Sequence, residues 1–142
     1  MILISHRGNL NGPSPEKENT IEYINYALNE GFDVEIDVRL EDNIYYLGHD
    51  VKQEKVSITF LKNNKLWCHA KNIEAFHSLL KENINCFWHQ SDDYVLTSSK
   101  IIWTYPNKLL SSGSICVFPE MGINGDINQC YGICSDFIIN YK

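Results

Sequence analysis

Short apolar runs that end abruptly in chemically capable polar residues recur along the whole chain. The first run ends at His6 and Arg7, a later one ends at His69, and the last one leads into Asp136. Runs of β-branched and aromatic residues bounded in this way predict buried strands. Polar groups at the carboxyl ends of successive strands are typical of parallel α/β sheets and barrels. The runs cover residues 2–4, 34–38, 66–68, 84–88, 101–103, 115–118 and 132–134.

Two stretches between these runs have the spacing of an amphipathic helix. Residues 21–28 place apolar side chains on one face, with Asn19 and Thr20 before them as capping candidates, and residues 73–81 repeat the pattern. A complete barrel of eight strands and eight helices takes ~250 residues, whereas this chain has 142. The sequence therefore predicts an α/β fold, a reduced TIM-barrel-like (β/α) barrel of about seven strands with several helices replaced by loops. We expect one domain that spans residues 1–142.

Charge, cysteine content and hydropathy limit the binding partners and the cellular location that we expect. The net charge of −6 and the lack of a Lys/Arg block predict no nucleic acid partner. Five cysteines without a CxxC pair predict free thiols. No stretch approaches the ~20 apolar residues of a membrane span, and the apolar start is shorter than a signal-peptide core of ~7–15 residues. We therefore expect a cytoplasmic protein, and the exposed flanks of a shortened barrel make a homodimer a further expectation.

Four residues near the first two runs form a candidate chemical site. His6 supplies a proton-transfer group near neutral pH, and Arg7 supplies a planar fork for phosphate oxygens. Glu35 and Asp37 are two positions apart on a predicted strand, so their carboxylates point to the same face. Two buried carboxylates need a compensating cation, and the oxygen-seeking ions Mg²⁺ or Ca²⁺ would provide it. The alternative is an antiparallel strand with a solvated acidic face, on which Arg39 pairs with one carboxylate.

The order of four short motifs resembles the N-terminal signature of the glycerophosphodiester phosphodiesterase family. The motifs are HRG at residues 6–8, ENT at 18–20, EID at 35–37 and HD at 49–50. The resemblance implies a TIM-barrel-type hydrolase in which His6 and His49 are the general acid and base. It also implies that Glu35 and Asp37 hold a divalent metal and that Arg7 binds the phosphate of a small phosphodiester substrate. In that family the nucleophile is often a neighbouring hydroxyl of the substrate, which gives a cyclic phosphate first.

The chain departs from that family at the end of the next strand, where relatives commonly place Glu-x-Lys. Here the residues are His69, Ala70 and Lys71. The resemblance makes Lys71 a phosphate contact, whereas His69 stands where a metal-binding carboxylate would be. We expect His69 to ligate the metal directly or through water, and Glu120 to supply the missing acidic ligand.

These patterns together predict a metal-dependent phosphodiesterase that acts on a small glycerophosphodiester-type substrate. One alternative is a phosphoryl-ligand binding module on the same fold that lost turnover through the change at His69. Another is a structural protein in which the motif residues form a buried polar network.

Overall fold

The computed structural model describes residues 1–142 and places nine strands in one sheet. The strands are β1 (Ile2–His6), β2 (Asp33–Glu41), β3 (Ile44–Leu47), β4 (Leu66–Ala70), β5 (Cys86–Phe87), β6 (Tyr94–Leu96), β7 (Ile102–Thr104), β8 (Ile115–Val117) and β9 (Gly132–Ser135). The α-helices are α1 (Ile21–Asn29), α2 (Ile58–Leu61) and α3 (Ile73–Lys81). Single 3₁₀ turns cover Pro119–Met121, Ile127–Gln129 and Ile138–Tyr141. Both helices predicted from the sequence are present as α1 and α3.

Eight strands lie around a nearly closed barrel in the order β5-β4-β2-β1-β9-β8-β7-β6. Neighbouring strands from β5 to β7 are parallel, and β6 pairs with β7 in the antiparallel direction. Strands β5 and β6 are the two ends of this strand order, and they are not paired with each other. Between them, the Ser98 N–H, just after β6, donates a hydrogen bond to the Cys86 carbonyl of β5 at 2.8 Å. The predicted reduced (β/α) barrel is therefore confirmed, with β6 added to the strands that the apolar runs predict.

The β2–β3 hairpin extends from the carboxyl end of this ring. Asp42 and Asn43 connect the two strands with φ angles of 50° and 62°. Two successive positive φ angles characterise a type I′ turn, whose twist matches that of the flanking strands. The hairpin buries Leu47 and brings the following His49 to the carboxyl edge of the barrel.

Polar caps define where the two longer helices begin. Thr20 accepts a hydrogen bond from the Tyr23 N–H at 3.3 Å, and Asn72 accepts one from the Ala75 N–H at 3.2 Å. Such caps satisfy amide groups that have no partner inside the helix. Helices α1 and α3 then pack against the outer face of β2, and α3 also contacts β4 and β5.

Strand side chains alternate between two hydrophobic cores. The outer core lies between the strands and the helices and includes Val34 of β2. The inner core fills the barrel, where the ring centroids of Trp67 and Trp103 are 5.7 Å apart. Because neighbours on a strand face opposite sides, Glu35 and Asp37 point into the barrel while Val34 points out.

All five cysteines are free thiols, as the sequence predicts, and all five are buried. Burial raises the pKa of Cys68 and of Cys134 well above the usual thiol range. These thiols are therefore structural, since the thiolate is the reactive form.

None of the helices combines the length and the apolar composition that crossing a bilayer requires.

Candidate active site

A cavity of about 170 Å³ opens at the carboxyl ends of the parallel strands. Five of the residues that the sequence singles out line it, namely His6, Arg7, Glu35, His49 and His69. A larger cavity of about 350 Å³ contains none of these residues. A pocket with convergent titratable groups is the better candidate for a functional site than a larger one without them.

Glu35, Asp37 and His69 form a compact buried group on the adjacent strands β2 and β4. His69 Nδ1 lies 3.5 Å from Glu35 Oε1 and 3.4 Å from Asp37 Oδ1. Glu35 Oε2 and Asp37 Oδ1 are buried without a hydrogen-bond partner. Unpaired buried carboxylate oxygens are costly unless a cation or a proton compensates them. The three residues therefore fit a divalent cation, and their ligand atoms, all within 4.8 Å of one another, can hold one.

The antiparallel alternative for these two carboxylates is wrong. At Glu35, β2 is parallel to both of its neighbours, β1 and β4. Arg39 donates to the backbone carbonyl of Asp50 at 2.9 Å and pairs with neither Glu35 nor Asp37. The acidic face of β2 is thus an interior face of the barrel and not a solvated one.

Asp37 is fully buried and lies against two cationic side chains. Its Oδ2 is 2.8 Å from Arg7 Nε and accepts a hydrogen bond from Asn19 Nδ2 at 2.8 Å. Lys71 Nζ is 3.8 Å from its Oδ1. Burial favours a higher pKa for Asp37, but the interaction with His69 and the charge of Arg7 hold that pKa well below its usual range. Asp37 is therefore ionised at neutral pH.

His6 is oriented by a carboxylate from the last strand of the barrel. Its Nδ1 donates a hydrogen bond to Asp136 Oδ1 at 2.7 Å, and its Nε2 lies 3.7 Å from Glu35 Oε2. Burial favours a lower pKa for His6, but the hydrogen bond to Asp136 and the charge of Glu35 outweigh burial and raise it. Asn9 Nδ2 also donates to Asp136 at 2.8 Å, and the Phe118 ring packs edge-on against the His6 ring at 4.8 Å. A carboxylate that fixes the tautomer and orientation of an imidazole prepares it for general acid-base catalysis.

Neither Asp136 nor Asn9 is a candidate catalytic residue on sequence grounds. The signal for Asp136 is its place directly after β9, because the carboxyl ends of parallel strands share one edge of the barrel. Asn9 follows the HRG motif in a turn and has no periodic signal. Its role becomes visible only through its contacts with Asp136 and with Glu18 Oε1, the latter at 2.8 Å.

The turn after β1 holds Arg7 in a strained backbone conformation. The φ angle of Arg7 is 55°, and that of Gly8 is 95°. A Cβ atom at Gly8 would lie 2.6 Å from the Tyr23 ring, so only glycine fits without a shift of that ring. Arg7 Nη1 lies 3.4 Å from Glu18 Oε2. Left-handed conformations of non-glycine residues cluster at functional sites, and this one places the guanidinium beside Asp37.

His49 and Lys71 lie at the mouth of the cavity. The His49 side chain is 40% exposed, and its Nδ1 donates to Asp50 Oδ1 at 2.8 Å. His49 lines both the cavity and an adjoining depression that contains Lys71. Among the residues that the sequence predicts, His49 and Lys71 therefore form the rim of the site, and His6, Arg7, Glu35, Asp37 and His69 form its interior.

Aromatic rings fix the position of His69. Its ring stacks on Phe87 and on His89, with centroid distances of 4.8 and 4.6 Å. Its Nε2 lies 3.4 Å from the His89 carbonyl oxygen. Burial and the charges of His69 and Lys71 lower the pKa of His89 to about 4, and His89 Nε2 contacts the Tyr105 hydroxyl. His89 is therefore a neutral part of the cavity wall at physiological pH.

Glu120 does not join the group formed by Glu35, Asp37 and His69. Glu120 is exposed, and both of its carboxylate oxygens accept from Ser135 Oγ at 3.0 Å. The chain turns sharply after β8, where Phe118 has a φ angle of 47°. Of the two further metal ligands that the sequence suggests, the group therefore contains His69 and not Glu120.

Comparison of the chain with protein-family models, with curated proteins and with solved structures gives no match.

Proposed function

We propose that the protein is a metal-dependent phosphodiesterase of the glycerophosphodiester phosphodiesterase type. One observation carries the proposal: a buried group able to hold a metal ion, a carboxylate-oriented histidine and an arginine meet in one cavity. These side chains belong to the HRG and EID motifs and to the strand that follows them. The motif order and the geometry therefore support the same chemistry.

Two histidines provide the proton transfers that the reaction needs. In-line displacement at phosphorus requires one group to deprotonate the nucleophile and another to protonate the leaving oxygen. His6 presents Nε2 to the cavity while Asp136 holds its Nδ1. His49, at the mouth of the same cavity, provides the other of these two proton transfers.

The cations of the site balance the charge of the phosphate. Arg7 lines the cavity and Lys71 lies beside its mouth, so a bound phosphate meets both. A divalent metal held by Glu35, Asp37 and His69 would stabilise the negative charge that develops on the non-bridging oxygens. Asp37 keeps Arg7 and Lys71 oriented while the substrate is absent.

The size of the cavity points to a small substrate. Its volume of about 170 Å³ is below the ~300–1,000 Å³ of pockets that enclose drug-sized ligands. A phosphate and an adjoining glycerol are compatible with that volume, and the second alcohol then extends through the mouth past His49. A glycerophosphodiester is therefore the substrate class that we propose.

Cleavage of glycerophosphocholine, followed by ³¹P NMR with a divalent metal present, tests the proposal. We expect a cyclic phosphate or a phosphomonoester as product and a loss of about 10²-fold or more in kcat for His6→Ala and for His49→Ala. His77→Ala, at an exposed position of α3, is the matched control and keeps wild-type turnover. Near wild-type turnover in either active-site variant would contradict the two-histidine mechanism.

A phosphoryl-ligand binding module is the second candidate, and the position of His49 favours it. His49 is partly exposed and bonds to its neighbour Asp50, so it is less constrained than His6. Calorimetric titration with sn-glycerol 3-phosphate separates the two candidates. Tight binding, with no product from the diester after prolonged incubation in several metals, would favour the module over the enzyme.

A further inference from the structure

We propose that the group of Glu35, Asp37 and His69 selects a first-row transition metal of the Zn²⁺ type over Mg²⁺ and Ca²⁺. The two carboxylates alone favour the oxygen-seeking ions, and His69 changes that preference. The inference rests on the proposed function in one respect, namely that this group is the metal site of the enzyme. It deepens that function by naming the class of metal.

The donor atoms give the first reason. The group offers two carboxylate oxygens and one imidazole nitrogen. Ca²⁺ takes six to eight oxygen ligands, and Mg²⁺ is held through carboxylate, phosphate and water oxygens. Zn²⁺ is commonly held by three protein ligands drawn from His, Asp and Glu, with a further position open to water or substrate. Imidazole therefore moves the preference toward the transition metals.

The spacing of the ligand atoms gives the second reason. His69 Nδ1 is 3.4 Å from Asp37 Oδ1 and 3.5 Å from Glu35 Oε1. Atoms that sit ~2.0–2.1 Å from a tetrahedral centre are about 3.3–3.4 Å apart. The corresponding separation of adjacent ligands for an octahedral Mg²⁺ at ~2.0–2.1 Å is about 2.8–3.0 Å. The two distances from His69 match the tetrahedral spacing more closely than that of Mg²⁺. Adjacent ligands of Ca²⁺ at ~2.3–2.6 Å are about 3.3–3.7 Å apart, so the spacing argues against Mg²⁺ and the nitrogen donor argues against Ca²⁺.

The surroundings of His69 give the third reason. Its Nε2 faces the His89 carbonyl oxygen at 3.4 Å. A carbonyl oxygen can only accept, so Nε2 carries a hydrogen. Nδ1 faces the two carboxylates and is the nitrogen that a metal would take, with release of the proton that Nδ1 shares with them in the metal-free protein. Stacking on Phe87 and on His89 holds the ring in this orientation. A metal-binding histidine almost always donates its other ring N–H in this manner.

The two unpaired oxygens show where the cation would be needed. Glu35 Oε2 and Asp37 Oδ1 are buried and lack hydrogen-bond partners, whereas Asp37 Oδ2 is already satisfied by Asn19. His69 Nδ1 points toward the unsatisfied Asp37 oxygen and not toward the satisfied one. At Glu35 the oxygen nearest to Nδ1 is Oε1, at 3.5 Å, while Oε2 faces His6 Nε2 at 3.7 Å. The nitrogen, the unsatisfied Asp37 oxygen and one Glu35 oxygen therefore lie close enough together for a shared ion.

Titration calorimetry of the metal-free protein with ZnCl₂, MnCl₂, MgCl₂ and CaCl₂, without substrate, tests the inference. We expect one Zn²⁺ per chain and an affinity for Zn²⁺ that exceeds that for Mg²⁺. Because most protein sites favour Zn²⁺ to some degree, the deciding comparison is His69→Glu, which restores an all-carboxylate group. The ratio of Zn²⁺ to Mg²⁺ affinity should fall about tenfold or more in His69→Glu and stay unchanged in the surface control His77→Glu.

Two results would overturn the inference: wild-type protein that binds Mg²⁺ or Ca²⁺ as tightly as Zn²⁺, or an unchanged ratio in a folded His69→Glu variant. If that variant does not fold, the visible spectrum of the wild-type protein with Co²⁺ decides. Intense absorption from a tetrahedral or five-coordinate ion supports the inference, and weak octahedral bands contradict it.

The proposed function is tested separately by the ³¹P NMR assay with each metal. Diester cleavage supported by tightly bound Mg²⁺ would overturn the metal inference and leave the function standing. Zn²⁺ binding that depends on His69, without cleavage of the diester, would support the metal inference and contradict the function.

Discussion

At the scale of single residues, Asp37 is where the candidate metal group meets the first loop of the barrel. Asn19 donates to its carboxylate and accepts from its backbone N–H at 2.9 Å. The sequence makes Asn19 and Thr20 capping candidates for α1, and the structure gives that role to Thr20. Asn19 instead anchors the strand that carries both acidic residues.

Replacement of Asn19 by alanine should destabilise the protein by about 3–4 kcal/mol. Two buried hydrogen bonds are lost, one of them to an ionised carboxylate, and these are worth about 2–3 kcal/mol. The rest comes from the φ angle of 58°, which disfavours alanine by about 1 kcal/mol. Urea unfolding measures the loss. Asn43→Ala, with a φ angle of 62° on the exposed β2–β3 turn, is the control and should cost only about 1 kcal/mol; equal losses would show that the buried bonds contribute nothing.

Replacement of Asp136 by asparagine should lower the pKa of His6 and reduce kcat. The carboxylate raises the pKa of His6, and burial, which lowers it, remains after the change. The pair stabilises the fold where both groups are charged: the lowered pKa of Asp136 removes its contribution at acid pH, and the raised pKa of His6 removes its contribution at alkaline pH. The stability difference from wild type should thus be largest near pH 5–6, between the ordinary pKa values of the two groups.

NMR titration of the imidazole signals and urea unfolding at several pH values check these expectations for Asp136→Asn. Asp126→Asn, at an exposed position, is the control and should leave the His6 titration unchanged. A His6 pKa in Asp136→Asn equal to that of the wild type would contradict the orienting role.

Strand alternation decides which site residues could be predicted from the sequence. Alternation places Glu35 and Asp37 on one face, and the structure confirms it. The contact between His6 and Asp136 joins residues 130 positions apart, so only closure of the barrel determines it. Glu120 lies beyond the end of β8, where the left-handed Phe118 redirects the chain and alternation no longer applies.

At the scale of elements, one side chain couples α3 to the sheet. Asn72 Oδ1 accepts from the Ala75 N–H at the start of α3 and from the Leu40 N–H on β2, both at 3.2 Å. Its Nδ2 donates to the Leu40 carbonyl at 2.9 Å. Asn72 directly follows Lys71, so the same contacts fix the backbone position of Lys71, the residue predicted to bind the phosphate.

Replacement of Asn72 by alanine should therefore cost more than loss of an ordinary helix cap. The cap contributes about 1 kcal/mol, and the two bonds to Leu40 add about 1–2 kcal/mol. Thr20→Ala removes the cap of α1, a helix of the same length, and should cost about 1 kcal/mol. Thermal and urea unfolding of both variants measure the difference. Equal costs would show that the contacts with β2 do not contribute to stability.

The elements with strong local patterns are those that the sequence predicts well. Helices α1 and α3 and strands β1 and β2 follow from apolar periodicity and from their caps. Strand β6 could not be predicted, because only the middle one of its three residues is buried and the strand exists through its antiparallel pairing with β7. The run at 84–88 shortens to Cys86–Phe87, the two residues that pair with Cys68 and His69 of β4.

At the scale of the molecule, α1 and α3 cover one side of the barrel and leave the β6–β7 side without an α-helix. Leu96 and Ile102 are paired across these two strands, and both are exposed. Homodimer formation stays a prediction, and sedimentation velocity at increasing protein concentration measures it. A monomer at every concentration would contradict it.

Metal binding should stabilise the whole fold by mass action. A metal at about 100 times its Kd adds about 2.7 kcal/mol to the free energy of unfolding, which raises Tm by roughly 10 °C for a domain of this size. Glu35→Gln should lose most of this shift, because Glu35 supplies one of the ligand atoms. Glu120→Gln should keep it, since Glu120 lies outside the group. Scanning calorimetry with and without ZnCl₂ measures both, and an equal loss in the two variants would contradict the site.

The place of β1 between β2 and β9 has a consequence for shortened forms of the chain. Removal of the last strand would leave one side of β1 with unpaired amide and carbonyl groups, an open edge of the kind that recruits other chains into aggregates. The same truncation would also take away Asp136 and with it the partner of His6. Loss of solubility and loss of the oriented histidine should therefore accompany one another in any fragment that ends before β9.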